Sequence, residues 1–170
     1  MKSPLYSFLV LIFAVTFVAC GGGGSDSETT PSETEETTEA SSGPESIELT
    51  IQPFGEEMKY AVDTLTVAAG AEVTLILENT ATLPIMVHNV VILTTNNDED
   101  VNRVGMAAIV AGEAGGYLPE DDAILAATPM AQPGETVQVT FNAPSEPGVH
   151  RFICTYPGHY ALMQGVLVVT

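Results

Sequence analysis

The run Cys154-Thr155-Tyr156-Pro157-Gly158-His159-Tyr160-Ala161-Leu162-Met163 places a thiol, an imidazole and a thioether within ten residues, spaced C-x4-H-x3-M. It joins two segments rich in β-formers, Val149 to Cys154 and Gly165 to Val169, and so reads as the loop between two strands. Cys154 ends the first strand. Pro157 and Gly158 allow the tight reversal that carries His159 back towards Cys154, and one further turn brings Met163 within reach. The rest of the chain can be read outward from this loop.

A trigonal set of one thiolate and two imidazoles, with a weak, long axial thioether, suits both oxidation states of copper and lowers the cost of switching between them. The loop supplies three of these four donors. His88, in the apolar stretch Ile85-Met86-Val87-His88-Asn89-Val90-Val91-Ile92-Leu93, is the candidate for the fourth and would arrive from a neighbouring strand. A lone histidine in an apolar strand is more often a core residue, and a lone loop methionine is usually packing. Structural zinc is a second competing reading, but it favours sets of four cysteines or two cysteines with two histidines and makes no use of methionine. The joint occurrence of the four residues argues for copper. His150, the third histidine, shares strand parity with Phe152 and Cys154 but lies about 13 Å from Cys154 along a strand. It is assigned a structural role, and no histidines remain for a second copper site.

The remaining pattern is all-β. Ser46 to Ile51, Thr64 to Val67, Glu72 to Leu77 and Thr136 to Phe141 alternate apolar and polar residues, and Met58 to Val62 reads as a short strand. Ile85 to Leu93 is apolar on both parities and predicts a strand covered on both faces. Short strands punctuated by Gly, Pro and Asn predict a Greek-key β-sandwich. The exception is Asn97 to Gly116. There Asp98, Glu99 and Asp100 suit a helix start, and Val101, Val104 and Ala108 form an inner stripe, which predicts one short flanking helix.

The 170 residues divide into three parts. Residues 1–19 read as a lipoprotein signal peptide: Lys2 is followed by an apolar core from Phe8 to Ala19, shorter than the about 20 apolar residues of a membrane span. The sequence Phe17-Val18-Ala19-Cys20 resembles a bacterial lipobox, with Phe17 in place of the usual aliphatic residue, and implies lipidation of Cys20. Residues 20–46 are rich in Gly, Ser, Thr and Glu and read as a disordered acidic tether with an r.m.s. span of about 28 Å. Residues 47–170 are one domain. Cys20 and Cys154 are the two cysteines, and each has a separate role, so no disulfide is expected. Of the 22 acidic residues 15 lie in the domain, against Lys59, Arg103 and Arg151, which leaves it near −12 of the chain's −18. Such a charge excludes a nucleic-acid footprint. It suits either transient docking on a basic or neutral partner face, or solubility and salt adaptation.

The ligand loop closely resembles that of the azurin and auracyanin group of cupredoxins. So do Met86-Val87-His88-Asn89, Gly105-Met106-Ala107, Tyr117-Leu118-Pro119 and Val137 to Phe141. The resemblance covers residues 47–170. It implies His88, Cys154 and His159 as equatorial ligands and Met163 as the axial one. It also implies that Asn89 braces the ligand loop and donates a backbone amide to the cysteine sulfur, and that Tyr156 sits where a second such amide arises. Azurins carry a glycine carbonyl opposite the axial methionine, whereas here the residue is Val87. The N-terminal disulfide typical of azurins is absent. The family's second histidine emerges inside an apolar patch, which here would draw on Leu83, Ile85 and Tyr156 and chiefly on Met86, Pro157, Ala161 and Leu162.

The expected function is outer-sphere electron transfer through His159, without substrate chemistry, because the ligand set leaves no equatorial position open. Expected partners are redox proteins such as c-type cytochromes, a quinol-oxidising complex or a terminal oxidase. The expected form is a monomer anchored at the periplasmic or outer face of the cell envelope. The competing class is a copper carrier or storage protein. A thiolate with two imidazoles is a poor arrangement for handing metal over, and methionine-rich runs suited to delivery are absent from the sequence.

Overall fold

The computed structural model describes residues 46–170. The predicted signal peptide, Cys20 and the tether up to residue 45 lie outside the described residues, and Ser46, read as the tether's last residue, opens the first strand. The elements in chain order are β1 (Ser46–Ile51), β2 (Thr64–Val67), β3 (Glu72–Glu78), β4 (Val91–Leu93), α1 (Asp98–Ala111), a 3-10 turn (Glu113–Gly115), β5 (Ile124–Ala127), β6 (Thr136–Asn142), β7 (Gly148–Ile153) and β8 (Gln164–Val169). They form a mostly β sandwich of two sheets, β1-β3-β6 and β2-β8-β7-β4-β5, with one helix at its flank.

Alternation builds the interior. In β3 the side chains of Val73, Leu75 and Leu77 are buried, and the residues between them face outward. They pair with Phe141, Val139 and Val137 of β6 and meet Phe152, Leu167 and Val169 from the facing sheet. Each such buried side chain contributes about 1.5–3 kcal/mol. A one-residue slip would turn the whole set to solvent, so burial fixes the register. β4 is apolar at every position because it is covered twice. Ile92 joins this main core, while Val91 and Leu93 join a second one under α1 with Val101, Val104, Ala123 and Ile153.

The helix begins where its sequence signals say. Asn97 caps it by accepting from the Asp100 N–H at 2.7 Å, and Asp98, Glu99 and Asp100 occupy the first turn, where the helix dipole favours acids. It ends at Gly112, whose φ of 65° suits glycine. Gly105 permits the closest approach. A Cβ there would sit 2.3 Å from the Tyr160 ring, so the helix face and the ligand loop pack as they do only because residue 105 has no side chain.

Two expected strands differ. Met58 to Val62 is not a strand. Gly55, at φ 59°, opens a turn-rich loop in which Tyr60 alone bridges Pro53 and is itself buried. The stretch Ile85 to Leu93 is strand only from Val91. Met86 to Leu93 are buried as the two-parity pattern implied, but residues 85–90 are irregular, because the polar groups of other segments take up their backbone. β5 was not foreseen. Its Ile-Leu-Ala-Ala sequence is short and alanine-rich, and it is an edge strand defined by pairing with β4.

Candidate metal centre

The loop after β7 is a chain of tight local turns. The Cys154 N–H donates to the Met163 carbonyl at 2.9 Å and closes it. The His159 N–H donates to Tyr156 O at 2.9 Å, and the Met163 N–H donates to His159 O at 2.8 Å. Gly158 supplies the left-handed residue this path needs, with φ 85°. His88 enters from the other side on an irregular segment fastened by two backbone bonds to Ala131, His88 N–H to Ala131 O at 3.1 Å and Ala131 N–H to His88 O at 2.7 Å.

These segments bring three donor atoms to one point. Cys154 Sγ lies 3.9 Å from His88 Nδ1 and 3.6 Å from His159 Nδ1, and the two Nδ1 atoms are 3.3 Å apart. All three residues are buried, His88 and Cys154 fully and His159 to 6% exposure. Donors bonded to one central ion at about 2.0–2.3 Å in a trigonal plane would be about 3.5–4.0 Å apart, so the triangle has the size of a metal site. Three lone pairs converging in a dry interior serve packing poorly and a soft cation well. The donor set thus fits copper. His150 is not part of the group: its Nδ1 lies 3.1 Å from the Thr94 carbonyl.

Burial tunes each donor. Burial first, then the neighbouring His159, lowers His88 to about 4, partly opposed by Glu56. Burial also lowers His159. Both rings are therefore neutral at neutral pH, with a lone pair to offer. Burial pushes Cys154 up to about 11, while the backbone N–H groups of Asn89 and Tyr156 bond to the sulfur and pull the other way. A bound cation adds the charge that makes this thiol a thiolate.

Asn89 also braces the loop with its side chain. Its Nδ2 donates to Thr155 Oγ1 at 2.8 Å, and its Oδ1 accepts from the Thr155 N–H at 2.8 Å. Met163 is fully buried in the same core as Cys154. Val87 is buried and lines a cavity of about 380 Å³ with Tyr117 and Tyr156. Tyr156 packs its ring 4.9 Å from that of His159 and 5.4 Å from that of Tyr117.

On the outer side a groove of about 660 Å³ runs past His159, lined by Glu56, Leu83, Ile85, Met86 and Leu162 among others. Of the expected patch residues, Ala161 and Leu162 are exposed, Pro157 is half-buried, and Met86 is buried. The backbone of Met86 is fastened at its carbonyl by the Asn79 side chain. The large exposed apolar side chains here are Leu83, Ile85 and Leu162.

The chain belongs to the plastocyanin/azurin family of copper binding proteins, matched over residues 45–170. It is 41% identical over 157 residues to auracyanin-A of Chloroflexus aurantiacus, which spans 92% of this chain and 90% of that one. It is 34% identical over 118 residues to azurin of Pseudomonas aeruginosa, 66% of this chain and 78% of that one. The solved structure of auracyanin A, titled a "blue" copper protein, superposes with a TM-score of 0.68 at 39% identity and covers 74% of this chain and 99% of that one. The cofactor is accordingly one copper, and the family implies electron transfer.

Sequence reasoning did not find the polar residues behind the donors. Asn79 Nδ2 donates to Met86 O at 2.7 Å and Ala131 O at 2.9 Å. Thr128 Oγ1 accepts from the Val90 N–H at 3.0 Å. Tyr60 donates its hydroxyl to Asn89 O at 2.6 Å. Asn79, a polar residue closing the alternating run of β3, was the one visible signal among them.

Proposed function

We propose that this protein is a tethered electron carrier whose copper would be held by His88, Cys154 and His159, with Met163 as a weaker fourth donor and the Val87 carbonyl as a candidate further contact. The observation that carries the reading is the buried Nδ1, Nδ1, Sγ triangle with edges of 3.3–3.9 Å. When bound, copper supplies a one-electron couple. The chain's own residues keep two imidazoles neutral, exclude water and set the thiol among amide donors. Donors fixed before binding move little between oxidation states, which lowers the cost of electron exchange. The same fixed burial speaks against a copper carrier or store, which must open to release metal, and a full ligand set speaks against substrate chemistry.

Electrons pass through the His159 ring, which borders the groove rimmed by Leu83, Ile85 and Leu162. Ala161 and Pro157 extend this apolar face, and Met86 forms its floor. A small apolar face permits brief docking, and the acidic remainder steers it towards basic or neutral faces. Suitable partners are c-type cytochromes, a quinol-oxidising complex or a terminal oxidase.

The protein works as a monomer on the periplasmic or outer face of the envelope, anchored by lipid on Cys20 with residues 20–46 as the leash. The lipobox-like Phe17 to Cys20 supports this. So does the match to auracyanin-A, which runs over 157 residues and so reaches past the 125 described ones. The test is to add Cu(II) to the metal-free protein and record visible absorption and EPR. Intense thiolate-to-copper absorption with narrow copper hyperfine splitting is expected. A colourless product or wide splitting overturns the reading.

A further inference from the structure

Tyr60 is fully buried in the loop between β1 and β2, far in sequence from every donor. Its ring meets Phe152 edge-on at 5.3 Å. Its hydroxyl is spent on one bond, to the Asn89 carbonyl at 2.6 Å. That carbonyl belongs to the Asn89–Val90 peptide, whose N–H is bound on its other side by Thr128 Oγ1 at 3.0 Å. The peptide is therefore gripped at both polar ends. The two remaining polar groups of Asn89 are engaged as well: the side chain bonds Thr155 twice, and the backbone N–H points at Cys154 Sγ.

We propose that Tyr60 is a positioning residue for the copper centre: by holding the Asn89 carbonyl it fixes the Asn89–Val90 peptide and, together with the Ala131 N–H that holds the preceding carbonyl of His88, restrains the torsions at Asn89 that aim its N–H at the cysteine sulfur, and so tunes the reduction potential. An N–H bond to a thiolate withdraws electron density from sulfur and favours the reduced, more electron-rich site. A rigid donor does this fully, and a donor free to swing does it only part of the time. Burial supplies the rigidity. The Asn89 carbonyl is out of reach of water, so without the phenol it has no replacement partner and the segment gains by moving to find one. The inference rests on the copper reading above.

The test is Tyr60→Phe in the full-length protein, read in two forms. In the metal-free form, amide hydrogen exchange at Asn89 and Thr155 should accelerate at least about fivefold relative to amides of β3. In the copper form the midpoint potential should fall and the thiolate-to-copper absorption should move to lower energy. Val73→Ala, which thins the same core from β3 without touching Asn89, is the control and should lower stability with neither local change. Should Tyr60→Phe not fold, Thr128→Val loosens the same peptide from its other end and should shift the potential in the same direction. A variant that loses stability but keeps the native potential, absorption and relative exchange at Asn89 and Thr155 reduces Tyr60 to a core residue and overturns the proposal. Because the exchange measurement uses no copper, it still judges the Asn89 clamp if the native protein proves colourless and the copper reading itself fails.

Discussion

Residues 86–90 and residues 155–163 both lack regular structure and both carry donors, yet their backbones are held by different kinds of partner. The 155–163 loop is tied mainly to itself, Tyr156 to His159, His159 to Met163 and Met163 to Cys154, with Thr155 at its start also held by Asn89. The 86–90 segment is tied to distant chain: Asn79, Thr128 and Tyr60 each hold one of its groups, and Ala131 and Thr155 hold two apiece. A self-tied loop keeps its shape wherever its two strands end. A segment tied from outside keeps its shape only when the whole sandwich is assembled. The donor triangle needs both, so its formation is coupled to folding of the full domain.

The largest effect comes from breaking the self-tied side at its donor. Cys154→Ala should abolish the visible absorption entirely, because no other thiol lies in the cluster. Loss of a small side chain within the main core should still leave a folded protein. Circular dichroism alongside absorption checks both halves of this expectation.

The next test breaks the other side. Asn79→Ala removes a fully buried amide and strands the Met86 carbonyl and the Ala81 N–H, which donates to Asn79 Oδ1 at 3.2 Å. Buried groups without partners cost about 1–3 kcal/mol each. The metal-free protein should lose roughly 2–4 kcal/mol in a denaturant titration, and copper should bind more weakly through displaced His88. Equal damage from an exposed-loop substitution such as Ala161→Ser would erase the distinction between the two sides.

The same difference decides what could be read from the sequence. C-x4-H-x3-M is legible because the contacts that shape it are local, and so its residue spacing encodes its geometry. The alternating strands β1, β2, β3 and β6, the helix cap at Asn97 and the inner stripe of Val101, Val104 and Ala108 are legible for the same reason. The irregular path of 85–90 was not, since a run apolar on both parities looks like a strand until Asn79 and Thr128 claim its polar groups. Tyr60 was invisible because the carbonyl it serves lies 29 residues away.

A pH titration sharpens the comparison without mutation. His88 has a folded-state value lowered to about 4 from 6.5, so the unfolded chain takes up its proton over a range where the folded one does not. The sign is therefore a loss of stability in the metal-free protein as pH falls from 6.5 towards about 4, levelling off below that. His159 is lowered too and adds to the same trend. Replacing His88 by a neutral residue such as Gln should flatten the slope. Denaturant midpoints at pH 7, 6, 5 and 4 measure it, and an unchanged slope in His88→Gln would place the titration elsewhere.

The smallest effect on the structure should come from the rim. Leu162 is 64% exposed and donates only its backbone N–H, to His159 O at 3.0 Å, a bond any residue but proline can make. Leu162→Ser should change stability by no more than about 0.5 kcal/mol and leave absorption and EPR as they are, because neither set of ties is touched. It should nonetheless slow electron exchange between copper-loaded molecules severalfold, since the apolar face that lets two His159 rings approach becomes partly hydrated. Stopped-flow or NMR line-broadening measurements would resolve the change. If exchange is unaffected while Ile85→Ser slows it, the productive face lies on the 83–86 side of the groove, and the stretch that leads into the externally tied segment would carry the docking surface.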